Sequence, residues 1–437
     1  MWTTIILVCS GVGLLVTLLQ FRLVRDYPTR LLILVMWARF SIAALHEFTA
    51  KPLGAGLSIS ALATIGFTGL LLLACRGRDF RAPHFALYVP MLVIIGISAV
   101  LNMQVKGLIN ELIAWGLFLA VIQVTTLTIA ANGMDRTMKA VMASLLTPVL
   151  LQLASIAVGK SIGSELDGSR GFIGGYIHEA VFSRVLMIFL VVIVLVRWRS
   201  ALMRMGLMLY AVAAIFVTNY RTTIIAVLPI AAVVMGAAFL AAFTARWRPV
   251  VVGVGALTVI IGATVALPLL PERYTEIFLA VSKIGDLIQE PIAFTDAEKR
   301  IFSHRFYIWS SYVSDYLDGN PAQRLFGIGP FSDQGKFIVA HAHSSYINYL
   351  YEYGLFGFFY LIFMLIYNAI YCMRVSDLGQ RATLLSLHAG FVILNLTTGA
   401  MKSIEGLLVY ALIMAATLSW ARSPTRGGRT AAARPGG

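Results

Sequence analysis

His343 is the residue of this chain best placed to take up a proton. It closes a long polar stretch and stands immediately before a new apolar run. A neutral imidazole titrates near physiological pH and accepts a proton from a hydroxyl without special activation. His341 makes a His-x-His pair with it, but no nearby Cys, Asp or Glu completes a metal-ligand set, and no metal is expected. Glu352, nine residues on, lies at the start of the apolar run, where it would orient a partner or pair near the interface. Standing alone, each histidine is more often structural than catalytic.

Two arginines are unusual in their setting. Arg221 lies between two apolar runs with almost no loop to carry it into water. An arginine central in a membrane span costs ~2.5–3.5 kcal/mol on insertion scales, and such residues mark an ion or substrate site. The bland alternative is a side chain that snorkels to the headgroups. Arg305 sits one turn before Trp309, so a helix would put guanidinium and indole on one face. Its bland alternative is a solvated arginine paired with Asp315 or Asp318. The glycine-rich segment 168–179 adds Arg170 and His178 as polar contacts, but no Gly-Lys-Ser/Thr follows, so it is not a phosphate loop.

These residues need elements to position them, and composition says which. Of 437 residues, 59% are hydrophobic and 12% charged, against about 25% charged in soluble domains. The chain therefore reads as an all-α polytopic membrane protein. The net charge of +14 is spread over short loops between apolar runs, as the positive-inside rule produces, and does not indicate nucleic acid. Cys9, Cys75 and Cys372 lie far apart, offer no disulfide framework and read as small buried hydrophobes. The first apolar run has no basic region before it and reads as a retained span rather than a cleaved signal.

A span needs about 20 mostly apolar residues. Candidates fall at 3–21, 31–48, 57–75, 86–102, 107–131, 138–159, 179–197, 203–218, 222–243, 249–270, 345–372, 382–398 and 404–420. Two of these are short, so 12–13 transmembrane helices are expected. Arginines and lysines gather in alternate connections, after the first, third, fifth, seventh, ninth and eleventh spans and in the tail. Those connections should be cytoplasmic. The chain then divides into spans 1–10 over residues 1–270, a large extracytoplasmic loop over 271–343, spans 11–13 over 344–420 and a basic disordered tail over 421–437.

The large loop differs in kind. It carries seven basic and nine acidic residues, a net −2, which leaves +16 for the rest of the chain. A loop of this length is usually functional. Within it, 274–288 has helical spacing suited to a membrane surface. Thr295-Asp296-Ala297-Glu298 has the form of a capping box, and the helix it opens should run to about Asp318, where Gly319-Asn320-Pro321 stops it. Arg170, Arg221, Arg305 and His343 all fall on the outer side in this topology. Forked guanidinium contacts suit phosphate oxygens, so the set fits a substrate with a diphosphate leaving group and a hydroxyl acceptor.

His343-Ser344, nine residues, then Gly354-Leu355-Phe356-Gly357 resembles the motif after the large periplasmic loop of the O-antigen ligase and polysaccharide polymerase superfamily. Glu352 fits the same motif, and Leu325-Phe326-Gly327-Ile328-Gly329-Pro330 resembles its Gly-x-Gly lead-in. Arg305 with Trp309, and Arg221 after its outer turn, match the family's arginine segments. Ser344 departs from the asparagine often found after the histidine. The resemblance covers about residues 165–400.

The resemblance implies a bacterial inner-membrane enzyme whose site faces the periplasm. It implies transfer of a glycan from an undecaprenyl-diphosphate carrier, with inversion and with neither metal nor cofactor. The acceptor would be lipid A core for a ligase, or another carrier-linked glycan for a polymerase. His343 would be the general base, with Arg221 and Arg305 as diphosphate clamps. A transporter or flippase fits less well, since these usually show repeats and paired mid-membrane charges.

Overall fold

A computed structural model describes residues 1–53, 57–81, 83–163, 170–241, 243–255, 289–332 and 341–422, together with 257 and 285. The described chain is helical apart from a hairpin of β1 (Ile162–Gly163) and β2 (Arg170–Gly171), antiparallel with Ile162 opposite Gly171. The first half carries α1 (Trp2–Gln20), α2 (Tyr27–Ala44), α3 (Ile59–Leu73), α4 (Val89–Leu101) and α5 (Val105–Asn132). It continues with α6 (Met134–Ser144), α7 (Leu146–Ala157), α8 (Glu179–Leu195), α9 (Ala201–Val217) and α10 (Arg221–Ala241). Three short helices follow, α11 (Asp296–Arg300), α12 (Arg305–Leu317) and α13 (Pro321–Phe326). Then come α14 (Ser345–Tyr371), α15 (Leu378–Thr397) and α16 (Ile404–Ala421).

Twelve of the thirteen expected spans coincide with these helices; the tenth, 249–270, lies largely outside the described residues. Among the described residues, six helical stretches are each long and apolar enough to cross a membrane, and a seventh is the α6–α7 pair, bent by 43°. The expected number is larger for a physical reason. Helices α3, α8 and α9 have only 15 to 17 residues, α2 carries Arg30 and Arg39, and α15 carries Arg381 in its first turn. The proposed surface helix 274–288 and the basic tail also fall outside the described residues.

Helix boundaries follow side-chain capping. Asp26, Ser58, Ser200, Asp377 and Ser403 each accept a backbone N–H of the helix they precede. Beyond the charged residues of their first two turns, helices α8 and α16 are apolar on every side and buried nearly throughout, the mark of a helix at the centre of a bundle. Lipid tails are as apolar as leucine, so association there depends on close packing and on polar contacts. Tyr410 of α16 stacks on Phe391 of α15 at 4.4 Å, and Arg39 of α2 pairs with Glu405 of α16 at 2.6 Å.

Alternate connections meet at opposite ends of the bundle. At one end Asn132 bonds Asp26 at 2.5 Å, and the Arg197 N–H bonds Asp135 at 2.9 Å. At the other, Asn102 reaches the Gly327 carbonyl, Asn219 the Arg170 carbonyl, and the Ser345 N–H the Thr398 carbonyl. This is the segregation that the charge pattern requires.

The helix expected from Thr295 to Asp318 is not continuous. The capping box forms and opens α11, but Phe302, Ser303 and His304 take φ of 54°, 53° and 63°. Such left-handed residues cannot continue a right-handed helix, so a second helix, α12, begins at Arg305. The Gly319-Asn320-Pro321 stop holds, and Asn320 at once caps α13 with a second capping box.

Candidate functional site

The site starts from two glycines. Gly354 interrupts α14 with φ of 66° and ψ of −164°, and Gly327 has φ of 83°. A Cβ on Gly354 would lie 2.4 Å from the Leu325 carbonyl, and one on Gly327 only 2.1 Å from the Glu352 carbonyl carbon. The two backbones touch because neither side chain exists. The Ile328 and Gly329 N–H groups donate to the Tyr351 and Glu352 carbonyls, at 2.8 and 3.2 Å, and Ser98 donates to the Glu352 carbonyl at 2.5 Å. The Gly-x-Gly segment and the Gly-Leu-Phe-Gly break are therefore one docking device.

That device fixes the N-terminal part of α14, where His343 precedes the helix. His343 has φ of 49° and is half-buried. Trp309 donates its indole N–H to the Ala342 carbonyl at 2.7 Å, tying α12 to the residue before the imidazole. Ser344 caps α14 by accepting the Ile347 N–H. The Ser345 hydroxyl accepts from Met401 N–H at 3.1 Å, which joins this turn to the α15–α16 connection.

A cavity of about 500 Å³ opens beside His343, lined also by His178, Arg184, Tyr220, His341, Asn348, Glu352, Thr398 and Lys402. The His343 ring lies 6.4 Å from His178, nearly parallel, and 6.4 Å from His341, perpendicular. Burial, then Arg305, His178, His341 and Arg184, push the His343 imidazole down to about 3. It is neutral at physiological pH, as a proton acceptor must be. His178 accepts the Ala180 N–H on Nδ1, so its neutral form carries the proton on Nε2. Among the described residues no group of three or more His, Cys, Asp or Glu comes close enough to hold a metal ion.

The expected arginines are placed differently from one another. Arg305 opens α12, half-buried, with its guanidinium 5.2 Å over the Phe302 ring and its Nε without a hydrogen-bond partner. Arg221 opens α10 and is 7% exposed, between Tyr220 and Thr222, which both bond Thr397. Neither lines the cavity itself. Arg170 is exposed in β2, and its backbone carbonyl accepts from Asn219 in the turn before Arg221. Glu352 is buried and reaches Lys402 Nζ at 2.6 Å.

Three charged residues at this end were not singled out from the sequence. Lys402 is bonded by both Glu111 and Glu352, and by the Tyr353 hydroxyl at 2.9 Å. Burial alone would push its ammonium down, but the two carboxylates hold it above the ordinary lysine value. Arg184 lines the cavity from α8. Charge inside an apolar run was the available signal in Arg184 and Glu111, the same signal that drew attention to Arg221.

Residues 206–362 match the O-antigen ligase family model. The chain thus carries an O-antigen ligase family domain, and it is a multi-pass membrane protein. Proteins with this domain are membrane glycan transferases of ligase or polymerase type that act on lipid-linked glycans. A search of curated proteins found no match. The matched domain contains Arg221, Arg305, Trp309, His341, His343 and Glu352, while His178, Arg184 and Lys402 line the cavity from outside it and Arg170 lies outside both.

Proposed function

We propose that the domain transfers a glycan from an undecaprenyl-diphosphate carrier to an acceptor hydroxyl on the extracytoplasmic face of the bacterial inner membrane. The acceptor oxygen attacks the anomeric carbon as the bond to the diphosphate breaks, which inverts that centre. His343 takes the hydroxyl proton, and guanidinium groups take up the charge developing on the diphosphate. The charge is met by side chains, so the proposed reaction is metal-independent. The observation that carries this reading is the neutral imidazole of His343 facing a cavity that Arg184 also lines. A bound diphosphate would offset that positive charge and strengthen His343 as a base once the donor is in place.

The ligase reading, with lipid A core as acceptor, is favoured over the repeat-unit polymerase reading only slightly, because both need the same clamp and base. Purified protein in vesicles, given carrier-linked glycan and each acceptor in turn, separates them by product. One capped acceptor supports a ligase, and a ladder of repeats supports a polymerase. Glycan crossing the bilayer with no new glycosidic bond would overturn both in favour of transport.

A further inference from the structure

Arg184 is the one cation lining the cavity that has neither hydrogen bond nor ion pair among the described residues. It lies in the second turn of α8 and is 6% exposed. Its Nε is buried with no partner. The carboxylate that acts on it, Glu405, is already engaged by Arg39 at 2.6 Å. Lys402, the other cation in the lining, is neutralised by Glu111 and Glu352. An arginine cannot shed its proton to escape burial. A buried charge without a hydrogen-bonded partner is strongly unfavourable, and the deficit closes when a ligand brings the opposite charge.

We infer that Arg184 contacts the anionic oxygens of the donor diphosphate directly, from inside the cavity, where Arg221 and Arg305 do not line it. The inference rests on the function proposed above and adds to it the residue that meets the leaving group. Arg184 stands on a rigid, fully packed helix, so its guanidinium is held in place before the donor arrives. It also acts electrostatically on His343, which brings the charge sink and the proton acceptor to one cavity.

The test is competition by short-chain polyprenyl diphosphate, monophosphate and alcohol, none carrying sugar, against donor binding to the full-length protein in vesicles. Arg184→Gln is expected to weaken the diphosphate about 10- to 100-fold, the range of charge-assisted hydrogen bonds, and to leave the alcohol within about twofold. Arg184→Lys, a point charge without the fork, should fall between. Equal weakening of all three ligands would mean that Arg184 only supports the fold, and unchanged diphosphate affinity would mean no contact; either overturns the inference. Dependence on Arg184 confined to donors with acidic sugars would also overturn it. Arg184-dependent diphosphate binding in a wild-type protein that makes no glycosidic bond would instead leave the inference standing and remove the transferase reading.

Discussion

His343 is unusual in being kept neutral by its neighbours. Its imidazole is held at about 3 by burial and by surrounding cations, so the proton-accepting form persists far below the ordinary histidine value of about 6.5. For the free enzyme, kcat/KM should show no histidine limb down to about pH 5, checked by rate measurements across that range. A limb near pH 6.5 would contradict this. Stability follows the same sign. Between about pH 6.5 and the folded value the unfolded chain takes a proton that the folded chain refuses, so stability falls as pH falls. Above about pH 6.5 both states are neutral and the contribution vanishes. His343→Gln should therefore melt with a shallower acid-side decline than wild type. The place of His343 beside the glycine motif was legible from its spacing, whereas its depressed titration was not, because the burial and the cations that cause it depend on how α8 and α12 pack.

At the scale of elements, the break in α14 and the division of the loop helix do the positioning. Gly354→Ala places a Cβ against the Leu325 carbonyl at a left-handed φ, a backbone conformation that costs about 1–3 kcal/mol without glycine. Its melting temperature in detergent should fall by several degrees, whereas Gly66→Ala, with nothing within 4 Å of its Cβ, should be neutral or slightly stabilising. Equal behaviour of the two would contradict the docking device. Trp309→Phe keeps a ring but removes the donor to Ala342. An unpaired buried carbonyl costs about 1–3 kcal/mol, so turnover should drop about tenfold with folding retained. Unchanged turnover would separate α12 from the placement of His343. Apolar runs and caps made most helices readable in advance. The turn at 302–304 was not, since three non-glycine residues with positive φ leave no signature in sequence. The expected spans 57–75, 179–197 and 203–218 are helical over 15 to 17 residues each.

For the whole molecule, the decisive property is that residues from five connections converge at one end. The alternation of basic loops pointed to this without any structure, because insertion sorts connections by their lysines and arginines. The depth of the cavity was not readable, since it depends on how α8, α14 and the α15–α16 connection pack. Cysteine labelling checks the assignment of faces. In a background lacking Cys9, Cys75 and Cys372, Asp318→Cys should react with an impermeant thiol reagent added to intact spheroplasts. Arg199→Cys, exposed at the opposite end, should react only after permeabilisation. The reverse pattern would place the cavity on the cytosolic side and end the proposed reaction.

The most direct test compares wild type and His343→Ala in single-turnover transfer, with donor affinity measured on the same samples. Donor binding is expected to persist while the rate of glycosidic-bond formation falls at least about 10²- to 10⁴-fold, the usual share of general-base catalysis. A variant that binds donor and transfers within a few-fold of wild type would show that the proton goes elsewhere.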